Sequence, residues 1–360
     1  MSYLNIAETR CDTELAGSDS KFAASAIDPT MSFAGAKGLM RDLGARLEGG
    51  LIAATPVPLG ADGTLHETGH QSYLRYMAAQ PVAGVAVWAH TGRGLMLDDQ
   101  TARRVLLDWR AALPDKVVIA GVGSRNETNP EHATADTVRM AENAATLGAD
   151  ALLVYAPTWL RGHAHMDELI VEHHRRVGAV GLPIILFYLY EAAGGISYDR
   201  QLLDDLLRLP EVVGIKMATL DSVMTYQDVS RQVAARHSDK LFITGEDRFL
   251  GYSLRCGATA ALIGMGAVCC ELQASLLHAH VERDAARFLA LSDEVDALAE
   301  ALFVAPMEGY IRRVLWALVH LGVVPLAAAN DPWGPPLPAR EFDEVGRTVA
   351  AVTAAAAAVN

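Results

Sequence analysis

Val212-Val213-Gly214-Ile215-Lys216-Met217-Ala218-Thr219 is an apolar run broken by one charge near its end. A run this short with no alternation between apolar and polar positions reads as a strand covered on both faces, which is how strands of a parallel sheet sit. Seven other runs share the character: GLIAATP from Gly50, GVAVWA from Gly84, VVIAG from Val117, ALLVY from Ala151, PIILFY from Pro183, LFIT from Leu241 and AALIG from Ala260. Between them lie segments with apolar residues at three- and four-residue spacing, such as Asp98 to Ala112, Ala133 to Leu147 and Asp167 to Val180, which read as helices. Eight strand-helix units predict closure into a (β/α)8 barrel, the alternative from pattern alone being an open doubly wound sheet. Two helix exits repeat one cassette, Gly148-Ala149-Asp150-Ala151 and Gly257-Ala258-Thr259-Ala260, in which glycine suits the left-handed turn before the next strand.

Around that core the expected organisation is an N-terminal extension over residues 1–47, the barrel over 48–270 and a helical region over 271–360. The last contains helical patterns at Ala286 to Phe303 and Tyr310 to Leu321, a Pro-rich link NDPWGPPLPAR and a final helix to Val359, all expected to pack outside the barrel. With 51% hydrophobic and 20% charged residues the 360-residue chain can bury a large core, which excludes wholesale disorder. Its net charge of -13 disfavours nucleic acid and anionic membranes as partners. The longest apolar run, Ala260 to Cys270, is far short of the roughly 20 residues that cross a bilayer. The N-terminus lacks the basic start and apolar stretch of a secretory signal, so a cytoplasmic protein is expected. The four cysteines show no C-x-x-C spacing and read as reduced.

In a parallel barrel the active site is built at the C-terminal strand ends. Lys216 stands at such an end, where desolvation lowers an amine's pKa and makes it a nucleophile; the competing reading is an ordinary strand-end lysine reaching solvent. Tyr188 ends the preceding strand and reads as a proton shuttle beside the lysine, or as a core aromatic. The turn Ala89-His90-Thr91-Gly92-Arg93-Gly94 after the second strand offers backbone N–H groups and the Thr91 hydroxyl for a carboxylate. His163, His165, His173 and His174 invite a metal reading, but their spacing matches no closed ligand set, so no metal is expected. Gly245-Glu246-Asp247 and Gly264-Met265-Gly266 read as site walls without a named ligand.

Taken together these segments resemble the dihydrodipicolinate synthase and N-acetylneuraminate lyase family of class I aldolases, over roughly residues 48 to 325. The resemblance lies in Ala54-Thr55-Pro56, the glycine turn after strand two, Ile119-Ala120-Gly121-Val122-Gly123, Gly148-Ala149-Asp150-Ala151, and Gly214-Ile215-Lys216-Met217-Ala218-Thr219, which looks like the family's Schiff-base lysine motif. It implies an oligomeric barrel, a tetramer or dimer, that binds pyruvate or a related 2-oxo acid as an imine without metal or organic cofactor. It assigns Lys216 as the imine-forming lysine and Tyr188, by gapless counting, as the proton shuttle. Thr91, with Ala89, His90, Gly92 and Arg93, falls on the turn that binds the oxo acid's carboxylate, and Ile263 on a substrate-facing position.

The departures narrow the expectation. His90-Thr91 stands where two hydroxyl residues are usual, and Arg93 where a glutamate is, so the hydroxyl relay is altered; His90 becomes a candidate acid or base, or merely packs. Thr158-Trp159 replaces a pair of tyrosines, one of them normally lent by a neighbouring subunit, and Trp159 lines an acceptor pocket or packs at an interface. Glu191 stands in place of a proline, as an acid-base candidate or a solvated loop carboxylate, and Ala193 in place of the acceptor-binding arginine, so true dihydrodipicolinate synthase activity is not expected. The expected function is a class I lyase or aldolase joining or cleaving a 2-oxo acid and an aldehyde. The alternatives are a dehydratase or hydratase-aldolase using the same imine, and a ligand-binding barrel that has lost catalysis.

Overall fold

The computed structural model describes residues 42–125, 129–220 and 222–359, with side chains to 354. Most of the N-terminal extension, residues 1–41, lies outside the described residues. Eight parallel strands close in sequence order into a barrel: β1 (Leu51–Ala54), β2 (Gly84–Val87), β3 (Val117–Val122), β4 (Ala151–Val154), β5 (Ile184–Leu189), β6 (Val212–Ala218), β7 (Leu241–Thr244) and β8 (Ala260–Ile263). The helices that return the chain are α1 (Glu67–Ala78), α2 (Asp99–Ala112), α3 (Pro130–Thr146), α4 (Met166–Gly178), α5 (Arg200–Leu207), α6 (Val223–Arg236), α7 (Leu250–Arg255) and α8 (Cys270–Val281). Their starts are capped as sequence dictates: Asp98, Asn129, Asp199 and Ser222 each accept a first-turn amide that has no helical partner. Gly148 and Gly257 take φ values of +87° and +102°, the left-handed turns their cassettes predict.

Two apolar layers follow from strand alternation. Ile52, Ala86, Ile119, Leu153, Phe187, Ile243 and Leu262 point inward and fill the barrel, and Leu43 and Leu47 of the short helix at 42–47 pack onto that same cluster. Leu51, Val85, Val118, Leu152, Leu186 and Ile215 point outward beneath the helices. Each fully buried Leu, Ile or Phe contributes roughly 1.5–3 kcal/mol. That both faces are buried is why the strands read as unbroken apolar runs.

Three further helices follow, α9 (Ala285–Leu302), α10 (Tyr310–His320) and α11 (Arg340–Val359). The stretch between α9 and α11 differs from the expectation of helices packed wholly outside the barrel. It runs from the loop after β7, where Arg248 Nη1 donates to the Phe303 carbonyl at 3.0 Å, to the loops after β1 and β2, where Asn330 Nδ2 donates to the Leu59 carbonyl at 3.0 Å and Arg93 pairs with Asp331. Phe303 to Asp331 is thus a strap across the C-terminal end of the barrel.

Candidate active site

Lys216 points into the barrel near the C-terminal end of β6 and is only 7% exposed. Its Nζ lies 4.1 Å from the centre of the Phe187 ring, which is level with it on β5. A Cβ on Gly245 would overlap Lys216 Cε, so glycine at the end of β7 leaves the stem its path. Burial lowers the amine to about 8, against the opposing charges of Asp247 and Glu246, which favour the ammonium.

Those two carboxylates tie the neighbouring turns together. Glu246 accepts from Thr219 N at 2.6 Å, Thr219 Oγ1 at 2.8 Å and Leu220 N at 2.9 Å, fixing the turn after β6. Asp247 accepts from Met265 N at 2.7 Å and Gly264 N at 3.4 Å, fixing the turn after β8. Burial raises both to about 7; the backbone donors act against the rise at each, and Lys216 also does so at Asp247. Burial thus pushes the amine down and the two carboxyls up, and a less basic amine suits addition to a carbonyl.

At the opposite rim, Thr91 Oγ1 and Tyr310 Oη are 2.9 Å apart and buried. The Tyr310 ring, from the first residue of α10, stacks on Phe303 with centroids 4.6 Å apart. His90 Nε2 hydrogen-bonds Glu308 Oε1 at 3.0 Å. Arg93 donates from Nε and Nη2 to Asp331, at 3.2 and 2.8 Å, and from Nη1 to Glu308 at 2.8 Å. Burial works to raise the Glu308 carboxyl, but its hydrogen bonds and charge pairing with His90 and Arg93 outweigh that and hold it at about 2. These ion pairs anchor the strap.

Of the residues singled out in sequence, Lys216, Ala89, Thr91 and Gly92 stand at or beside this end of the barrel, Tyr188, Ile263 and Arg93 do not serve as expected, and Trp159, Glu191 and His90 follow the packed, solvated or hydrogen-bonded alternatives. Tyr188 is the main correction. Phe187 pairs with Lys216 across the β5–β6 ladder and Tyr188 with Met217, so the phenol side chain lies in the outer layer, its ring edge-on to Tyr198 at 5.8 Å. Gapless counting fixes a position along the chain but not a face, and a strand buried on both sides gives no alternation to choose one. Ile263 is corrected for the same reason, its side chain facing the helices. Arg93 is committed to Asp331 and Glu308 rather than free for a substrate carboxylate. The amides of Gly92, Arg93 and Gly94 donate to carbonyls of Ala89 and His90, so the turn spends them internally. Trp159 packs edge-on against His173 at 5.3 Å in the helix layer, away from Lys216's wall of the barrel, and Glu191 lies exposed on the loop after β5. His90 is tied to Glu308. No cluster of three His, Cys, Asp or Glu side chains arranged to hold a metal occurs among the described residues.

Sequence reasoning missed Phe187, Asp247 as a partner of Lys216, and Tyr310. Asp247 had a signal, two acids following a glycine at the tip of the strand next to the lysine. Tyr310 had none, being separated from Thr91 by 219 positions.

Comparison with known proteins gives the fold and the family. The family model described as "Dihydrodipicolinate synthetase family" matches residues 47–351. A 4-hydroxy-tetrahydrodipicolinate synthase of Stenotrophomonas maltophilia is 28% identical over 296 residues, covering 79% of this chain and 93% of that protein. An N-acetylneuraminate lyase of Pongo abelii is 30% identical over 220 residues, 59% of this chain and 65% of that protein. Among solved structures, a monomeric dihydrodipicolinate synthase variant superposes with a TM-score of 0.74 at 18% identity, covering 86% of this chain and 97% of that one. The Ruminococcus gnavus sialic acid aldolase gives 0.73 at 19%, covering 86% and 98%, a likeness of fold. With its barrel closed and a lysine inside it near the end of β6, this chain belongs to the dihydrodipicolinate synthetase family and is a lyase of the class I aldolase type.

Proposed function

We propose that this protein forms an imine between Lys216 and the ketone of pyruvate or a related 2-oxo acid, and uses it to make or break a carbon–carbon bond with an aldehyde, with no metal or organic cofactor. The observation that carries the reading is the Lys216 amine itself, enclosed by the barrel wall, against Phe187, and held at about 8. The free amine adds to the carbonyl, the carbinolamine loses water, and the cationic imine withdraws electrons from the neighbouring bond. Thr91 and the backbone at Ala89 are assigned the oxo acid's carboxylate. A second reading is loss of water from the substrate after imine formation, in which Asp247, a buried carboxyl beside the turn after β8, is the group assigned to protonate the leaving hydroxide. We place the protein in the cytoplasm as a homo-oligomer, dimer or tetramer.

Product analysis separates the readings. Full-length protein is incubated with pyruvate and a panel of aldehydes, and separately with hydroxylated 2-oxo acids. A carbon–carbon adduct or released pyruvate identifies an aldolase, and a deoxy or dioxo acid a dehydratase. Binding without turnover and without dependence on Lys216 would leave a ligand-binding barrel.

A further inference from the structure

We propose that Tyr310, carried across the barrel end by the chain's own C-terminal strap, is the proton carrier for the Lys216 imine, so that the relay is completed within one protomer. The proposal rests on the imine reading above. With Tyr188 in the outer layer, a hydroxyl must come from elsewhere. The Tyr155 hydroxyl donates to the Trp88 carbonyl at 3.2 Å, and His90 is paired with Glu308.

Tyr310 sits where the parts of the site converge. Its Oη is 2.9 Å from Thr91 Oγ1. Its ring lies over Gly264, where a Cβ would come within 2.9 Å of Tyr310 Cε2 and 3.3 Å of Thr91 Oγ1. The Gly264 amide in turn donates to Asp247, and the Asp247 charge acts on both Lys216 and Tyr310. Gly264 and Asp247 thus connect the Tyr310–Thr91 pair to the Lys216 side of the barrel end. The ring is held by stacking on Phe303, and the backbone just before it by Glu308, clamped between His90 and Arg93. Burial keeps the phenol in its protonated form, and the hydrogen bond with Thr91 works the other way, toward release of the proton.

In the step assigned to it, the carbinolamine C–O bond breaks, the departing oxygen takes the Tyr310 proton and leaves as water, and the nitrogen lone pair forms the C=N bond. The resulting phenolate, hydrogen-bonded by Thr91, takes the C3 proton as the iminium collapses to the enamine, restoring the phenol. Protons and charge balance without another reactant.

The test is the rate of adduct formation on the full chain, by quenching timed mixtures with borohydride and weighing the intact protein, using pyruvate, 2-oxobutyrate and 2-oxoglutarate. Tyr310→Phe is expected to slow trapping by about 100-fold or more, and to abolish the solvent deuterium isotope effect on imine formation, a change that a packing defect would not produce. Thr91→Val, which leaves the ring in place, is the second arm and the measure if Tyr310→Phe does not fold; it is expected to slow trapping by about tenfold. Wild-type rates in either folded variant would overturn the role of Tyr310 while leaving the imine standing. No adduct on the wild type with any of the three acids would instead bring down the imine reading, and this proposal with it.

Discussion

Removing the Asp247 charge is a direct probe of what the barrel does to its lysine. A fall in the amine from 10.5 to about 8 raises its free-base share at pH 7 by about 300-fold. Burial produces the fall and Asp247 opposes it, so Asp247→Asn should lower the amine further, by about one unit. Asparagine keeps an oxygen to accept from Met265 N, so the turn after β8 is retained. Competitive labelling with trace acetic anhydride across pH 6 to 11, quantified on the peptide containing Lys216, reads the midpoint without a substrate. Burial slows the labelling but does not move its midpoint. The wild type should titrate near 8 and the variant about a unit lower. A wild-type midpoint of 10 or above, or an upward shift in Asp247→Asn, would refute the reasoning that desolvation activates Lys216.

Other outcomes follow from the same geometry. Tyr188→Phe should leave borohydride trapping within about threefold of wild type, because its ring lies beneath the helices against Tyr198. Asp331→Ala strips a side chain that is 1% exposed from the Arg93 fork and should cost about 3–5 kcal/mol in urea unfolding. The Glu308 carboxyl titrates at about 2 in the folded chain, below its ordinary 4.5. Its stabilisation is therefore complete above about 4.5 and lost as the pH falls toward 2. Thermal scans from pH 5 to 2 should show the loss in the wild type and a flatter profile in Glu308→Gln. Gly94→Ala should yield little folded protein, since its Cβ would overlap the Trp88 carbonyl and backbone.

How much of this was legible in the sequence depends on what each residue's position depends on. The eight strands were legible because burial on both faces writes them as continuous apolar runs, and the crossover helices because their caps and periodicity are local. Lys216 was legible as the single charge in such a run. The same continuity hid which of Phe187 and Tyr188 faces inward, because the choice rests on the ladder between β5 and β6. There the register slips between Ile184 and Ile185 as β6 passes from Val212 to Gly214. The glycine turn after β2 was legible as a turn but not its use. Gly94 is there to let the chain pass Trp88, while Arg93 answers to Asp331, 238 positions away. The strap was read as outer helices because its amphipathic pattern reports that a face is buried, not against what.

The most direct test of the central claim is peptide mapping of the protein after incubation with pyruvate and borohydride, with Lys216→Ala alongside. The account predicts a reduced pyruvyl group on Lys216 in the wild type and none in the variant. An adduct on another lysine, or its absence across a panel of 2-oxo acids, would contradict it.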